Sequence, residues 1–382
     1  MERVKPAEMQ EARSAMHSMN RRRFVSRGCL TLAATTVASS TAFGQIERAS
    51  MIASHSAGPR RIVIDTDPGV DDAFALFLAM TSPELKIEAI TAVAGNLPLS
   101  ITLPNALRLV EIAGRTDIPV GAGATAPLAR RLVTADVHGE NGLAGAAFPA
   151  PSLKPVPEHA VDLLRTIIEK NPGEITLVCL GPLTNIALAL QADTALAGKI
   201  AQITMMGGSI SGGNITPAAE FNFYVDPEAA DIVFRSGVPI VMVGLDVTEK
   251  VTLTETHLAR IEAGTGPVSK AIAKIGRLEL EMARKRGSDG FHMHDPLAMS
   301  SLLDSEILRL EDYLVKIETA GLYSAGASYG YQHNPVRGSA PMKDAPDAGS
   351  RSDAAFRPNA KVAVGVNSDR FFELLIPRLS KA

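Results

Sequence analysis

The run Arg61-Ile62-Val63-Ile64-Asp65-Thr66-Asp67-Pro68-Gly69-Val70-Asp71-Asp72 decides the fold. A short apolar β-type run ends in an acidic turn built around Pro-Gly. A helical stretch, Asp71 to Met80, follows at once. Working outward, Leu85–Val93 reads as a second strand and Asn105–Ala113 as a helix. Further strands are predicted at Ile175–Leu180, Ile203–Met206 and Ile240–Leu245, with helices at Ala160–Lys170, Leu183–Leu190 and Pro227–Arg235. Strands alternating with helices argue for an α/β fold: a single domain whose mostly parallel central sheet carries helices on both faces. The strands are continuous apolar runs, as sheets covered on both faces require. In such sheets ligands bind beyond the carboxyl ends of the strands, which is where the acidic turn falls.

The chain has 382 residues, 46% hydrophobic and 21% charged, with a net charge of -3. That apolar content excludes a disordered chain, and the absence of a basic excess argues against a nucleic-acid partner. There is no Trp, so the core rests on aliphatic side chains and Met. Two cysteines, Cys29 and Cys179, are too few for a disulfide framework. Charge is uneven along the chain. Residues 1–27 hold seven basic and three acidic side chains, and 28–44 hold neither. Asn20-Arg21-Arg22-Arg23-Phe24-Val25 precedes a weakly apolar, Ala/Thr/Ser-rich run, the pattern of a twin-arginine export signal. The run is too polar for a stable membrane span. Residues 1–44 are therefore expected to be a signal region cleaved before Gln45, with a periplasmic or secreted product. Residues 60–382 are expected to form one α/β domain, in which 321–358, rich in Gly, Ala, Ser, Tyr, Asn and Pro, reads as a long surface loop.

Asp65, Asp67, Asp71 and Asp72 put four carboxylates within eight residues. Crowded acids raise one another's pKa unless positive charge is present. Asp71 or Asp72 could cap the helix, but one cap does not need four acids. A hard divalent cation, which takes oxygen ligands, accounts for them better. The turn resembles the N-terminal signature of the inosine-uridine nucleoside N-ribohydrolases. The resemblance continues in order through Ala94-Gly95-Asn96, His138-Gly139-Glu140-Asn141-Gly142, Gly181-Pro182-Leu183-Thr184-Asn185 and Met206-Gly207-Gly208. It goes on with Gly213-Asn214, Ala219-Glu220-Phe221-Asn222, Asp226-Pro227-Glu228-Ala229-Ala230, Gly244-Leu245-Asp246-Val247-Thr248 and His294-Asp295-Pro296. It covers roughly residues 60–320.

The resemblance implies hydrolysis of the N-glycosidic bond of ribonucleosides, through an oxocarbenium-like sugar. It implies a Ca²⁺ held by Asp67, Asp72, Asp295 and the main-chain carbonyl of Leu180. That ion would bind the ribose 2′ and 3′ hydroxyls together with the attacking water. Asp71 is implied as the general base, and Asp65 as support for the turn. Asn96, Asn214, Glu220 and Asn222 match ribose-binding positions. Read as a strand, Glu220-Phe221-Asn222 would point Glu220 and Asn222 to one side. His294, beside Asp295, is the candidate donor to the leaving base, with His138 in a Gly-rich loop as a second group at the site. Tyr323, Tyr329 and Tyr331 are candidates to stack on the base. Arg284-Lys285-Arg286 reads as a solvated helix end. The implied partners are a ribonucleoside and further copies of the chain. Two other readings compete: a haloacid-dehalogenase-type phosphohydrolase, which also begins with Asp-x-Asp after a strand, and an exported nucleoside-binding protein without catalysis.

Overall fold

A computed structural model describes residues 58–332 and 357–382. The export signal and Cys29 lie outside the described residues, as do positions 333–356 of the expected loop. Strand β1 (Arg60–Thr66) lies inside a nine-stranded sheet, third from one edge. It pairs in parallel with β2 (Leu85–Ala92) on one side and β4 (Thr176–Cys179) on the other. β3 (Val120–Ala122) extends the β2 edge. Beyond β4 come β5 (Gln202–Met206), β6 (Ile240–Val243) and β11 (Ala360–Val366), all parallel. β9 (Leu308–Ile317) then runs antiparallel, and β10 (Ser328–Tyr331) pairs antiparallel with β9. A separate antiparallel pair joins β7 (Thr252–Thr254) to β8 (Gly290–His292). The strand order reverses direction at β1/β4, the switch point where α/β sheets open a crevice.

Strand alternation sends Ile62 and Ile64 into one apolar core and Val63 into a second on the opposite face. Helix α1 (Val70–Met80) is buried along its whole length, with Phe74 and Phe77 fully inside the first core. The next helices are α2 (Leu99–Ile112), α3 (Ala160–Lys170) and α4 (Thr184–Ala192). α3 buries Ala160, Leu164 and Ile168, a helical stripe turned to the second core. α5 (Phe221–Val225) leads directly into α6 (Pro227–Arg235). There Asp226 caps the Ala229 amide and Pro227 opens the first turn. α7 (Leu245–Thr248), α8 (Glu255–Glu262), α9 (Pro267–Lys285), α10 (His294–Ser300) and α11 (Ser368–Lys381) complete the layers. Among the described residues no helix is long and apolar enough to cross a membrane.

Three expectations are corrected. α2 begins at Leu99, six residues before Asn105, and carries Pro104 inside it. Part of the 321–358 segment is regular structure, because Ser328–Tyr331 forms the outer strand of the sheet. Ser328 Oγ accepts from the Ser209 amide and donates to the Ser209 carbonyl, which ties that strand to the loop after β5. Glu220-Phe221-Asn222 is not a strand: Glu220 is the N-cap of α5. Its carboxylate accepts from the amides of Asn222 and Phe223, and this local capping outcompetes extension.

Candidate active site

The turn after β1 aims its acids at the carboxyl end of the sheet. Asp65 ends up beneath the site. Its Oδ1 accepts from Thr91 Oγ1 and from Asn185 Nδ2, and Asn185 in turn accepts the Ala124 amide. This bracket fixes β1 against β2 and α4, in the supporting role expected of Asp65. Asp67 sits between Gly95 and Gly181. A Cβ on either glycine would collide with the Asp67 carboxylate, so the backbone can approach that closely only there. Asp67 Oδ2 accepts the Asn96 amide at 2.6 Å, while Oδ1 is buried without a partner. Asp72, in the first turn of α1, reaches back to the Gly69 amide at 2.8 Å and accepts from Thr66 Oγ1 and from Asn96 Nδ2. Asp71, beside it, turns into the cleft instead.

Asp295 arrives from far along the chain, on the first turn of α10, which packs against α1. Its amide donates to Asp71 Oδ2 at 3.3 Å. Oxygens of Asp71, Asp72 and Asp295 lie within 4.8 Å of one another. Asp67 adjoins this trio closely enough to raise the pKa of Asp295. All four acids are buried. Burial first, and mutual repulsion second for Asp67, Asp72 and Asp295, pushes their pKa values up; Asp71 and Asp72 reach about 6. No ion pair among the described residues involves any of them. The N-terminal ends of α1 and α10 supply part of the missing positive charge. A divalent cation fits the remainder. The donors are all oxygen, which suits a hard ion such as Ca²⁺ or Mg²⁺ rather than Zn²⁺, and Asp67 Oδ1 is an acceptor with nothing to accept.

A cleft of about 560 Å³ opens above these acids. Asp71, Asp295, Asn96, Asn214, Glu220, Asn222, His138, His294 and Leu180 all line it, so nine of the eleven expected residues face one space. Asp67 and Asp72 lie below its floor, fully buried. Several lining groups already have protein partners. Asn222 Nδ2 donates to the Leu180 carbonyl at 3.0 Å and to the Met206 carbonyl at 3.1 Å. Asn214 Oδ1 accepts the Phe221 amide. Glu220 also accepts the Gly208 amide, and burial raises its pKa to about 7.

Two histidines flank the opening. His138 Nδ1 accepts the Val70 amide at 3.1 Å, pinning the Gly-rich loop to the start of α1. His294 Nδ1 contacts Thr248 Oγ1 at 2.8 Å, which leaves Nε2 for the cleft. Burial, with the rings of His292 and His138 nearby, lowers the His294 pKa to about 3. His294 is thus a neutral hydrogen-bonding ring in the metal-free site, rather than a stored proton. His292 also lines the cleft, its ring centroid 5.4 Å from that of His294.

The three tyrosines do not reach the cleft. Tyr323 is 87% and Tyr329 46% exposed, and none of the three lines the cavity. The C-terminal end of α9 does reach it: Glu279, Ala283 and Arg286 form part of the wall. Arg286 keeps 43% of its side chain exposed, as a solvated helix end predicts, while also bordering the cleft. Its placement depends on a carboxylate seven residues back, a pairing that a run of basic residues does not disclose.

The sequence matches the family described as inosine-uridine preferring nucleoside hydrolase over residues 62–373. It is similar to the pyrimidine-specific ribonucleoside hydrolase RihA of Photobacterium profundum, 43% identical over 330 residues, covering 84% of this chain and 99% of that protein. RihA of Salmonella arizonae is 42% identical, with 83% and 97% covered. Among solved structures, the plant nucleoside hydrolase PpNRh1 superposes with a TM-score of 0.78 at 36% identity, over 85% of this chain and 100% of that one. The purine-preferring ribonucleoside hydrolase from Gardnerella vaginalis gives 0.74 at 28% identity, over 84% and 98%.

Proposed function

The chain belongs to the inosine-uridine preferring nucleoside hydrolases, and on that premise we propose that it is a calcium-dependent hydrolase of pyrimidine ribonucleosides. The observation that carries the calcium dependence is the cluster of buried carboxylates without ion-pair partners, one of whose oxygens is unsatisfied. The pyrimidine preference is supported by the names of the relatives at 42–43% identity. Calcium held by Asp67, Asp72, Asp295 and the Leu180 carbonyl would supply positive charge that orients the ribose diol and acidifies water.

The chain's own groups do the rest. Asp71 reaches the cleft and takes a proton from the attacking water. Asn96, Asn214, Glu220 and Asn222 hold the ribose hydroxyls, with Asn214 Oδ1 oriented by the Phe221 amide, Glu220 Oε1 by the Asn222 amide and Asn222 Nδ2 by the Leu180 carbonyl. His294 donates a hydrogen bond from Nε2 to the departing base, held in orientation by Thr248. His138 closes the rim and anchors its loop. Export by the twin-arginine route and assembly into a homo-oligomer belong to the same proposal. Replacing Arg21 and Arg22 by lysine is expected to trap precursor inside the cell, and sedimentation of the mature chain reports its assembly state.

The deciding experiment measures ribose released from uridine, cytidine and inosine by chelated protein, with and without added Ca²⁺. Calcium-restored release from the pyrimidine nucleosides is expected. Full activity after exhaustive chelation would overturn the calcium requirement, and a preference for inosine would overturn the substrate assignment.

A further inference from the structure

We propose that Asn105, which lies outside the cleft on α2, is a positioning residue that holds the His138 loop against the acidic turn, a role that rests on the hydrolase reading above. Its side chain is buried. Both hydrogens of its amide are used: Nδ2 donates to the Pro68 carbonyl at 3.2 Å and to the Asn141 carbonyl at 2.9 Å. Pro68 stands between Asp67 and Asp71 in the acidic turn, and Asn141 follows His138 in the Gly-rich loop. One side chain therefore joins the two segments. Arg108, one turn further along α2, fixes which way the amide faces. Its Nη1 donates to Asn105 Oδ1 at 2.6 Å, and its Nε donates to the Pro149 carbonyl at 3.0 Å. A flipped amide would set Oδ1 against two carbonyl oxygens and Nδ2 against a guanidinium. The fit is also close. Gly142 has a φ of +77°, and a Cβ there would lie 2.8 Å from Asn105 Nδ2 and 3.1 Å from the Pro68 carbonyl oxygen.

Packing alone does not fix the loop at this height. A cavity of about 310 Å³ opens between α2 and the loop, with Ser100, Pro104 and Arg108 on one side and Glu140, Ala146 and Phe148 on the other. A loop released from Asn105 has space to shift. Before Asn141 it is tied by the Ala135 amide, which donates to the Asn96 carbonyl at 2.9 Å, and by His138 Nδ1, which accepts the Val70 amide. The Asn105 amide supplies the tie at Asn141 itself. The His138 ring rests directly on the acidic turn, since a Cβ at Gly69 would lie 2.8 Å from its Nδ1. A small movement of the loop therefore displaces a group that lines the cleft. The metal-side acids are held by other donors, Asp67 by the Asn96 amide and Asp72 by the Gly69 amide. Asn105 thus sets the rim and leaves the ligand set to its own supports.

The test measures kcat/KM for uridine, with Ca²⁺ present, in Asn105→Asp, Arg108→Met and Gly142→Ala, each alone and combined with His138→Ala. Asn105→Asp keeps the shape and the partner of Arg108 but removes both donors. Arg108→Met releases the amide without touching either carbonyl, and Gly142→Ala drives a methyl group between loop and helix. Asn105→Asp is expected to lose about 100-fold, the scale of a small misplacement at a site, and the other two somewhat less. In the His138→Ala background each change should add little, because the group that Asn105 positions is already gone. Calorimetry should find calcium affinity near that of the wild type. Amide hydrogen exchange should quicken over residues 139–146 in each variant while β1 stays protected, which also shows that the variants fold. Losses as large without His138 as with it, or unchanged exchange in the loop, would overturn the assignment while leaving the hydrolase intact. A wild-type protein that releases no ribose from any nucleoside would instead overturn the hydrolase reading, and the catalytic role of Asn105 with it, whatever the exchange shows.

Discussion

The amide of Asn96 donates to Oδ2 of Asp67 at 2.6 Å, and Oδ1 of the same carboxylate is left buried with no partner. One oxygen fastens the side chain between the β1 and β2 loops, and the other is free to take a cation. Asp67→Asn is therefore expected to weaken calcium binding more than about tenfold. Titration calorimetry on chelated protein measures this. Wild-type affinity in the variant would remove Asp67 from the ligand set.

The same burial gives the metal-free protein a signed pH dependence. Asp71 and Asp72 are raised to about 6, chiefly by burial. A carboxyl with a raised folded pKa contributes stability below its unfolded value of about 3.9, and that contribution is lost as pH rises through the folded value. Chelated protein should thus lose stability between about pH 4 and pH 7, while a bound cation offsets the loss. The Tm gap between calcium-loaded and chelated protein is expected to be wider near about pH 8 than near about pH 5.5. Thermal melts with and without chelator read the gap. A gap that does not change with pH would contradict the account.

Thr248 lies 46 residues before His294 in the chain, yet its hydroxyl is 2.8 Å from Nδ1 of that ring. Thr248→Val keeps the shape and removes the hydroxyl. Loss of such an orienting partner typically costs about 10- to 100-fold, so uridine turnover should fall by that order. His294→Ala should cost more. Neither change should slow p-nitrophenyl riboside comparably. Steady-state kinetics on both substrates checks this, and unchanged uridine turnover in Thr248→Val would show that the contact does not orient the ring.

Much of this site is legible in the amino-acid order because its signals are local. Asp226-Pro227 marks the start of α6, and the spacing of Ala160, Leu164 and Ile168 marks α3; both helices have the predicted limits. The acidic turn after β1 uses Asp65 and Asp72 to hold its own backbone, and the acids beyond that need point to chemistry. Family membership then sets aside the phosphohydrolase and binding-only readings. What could not be read depends on distant partners. Glu220 looks extended by alternation, but it caps the helix that follows it. Ser328 becomes part of a strand because β9 offers it an edge. Tyr323 and Tyr329, attractive by composition, point to solvent. Arg286 borders the cleft paired with Glu279, two turns back on the same face of α9.

The central claim is that Asp71 acts as the base while its neighbours hold the metal. Its measurement is kcat on uridine for Asp71→Asn, determined beside the calcium content of the same samples. Calcium content near that of the wild type, with kcat reduced about 100- to 10,000-fold, is the expected result. A near-normal kcat in calcium-loaded Asp71→Asn would contradict it.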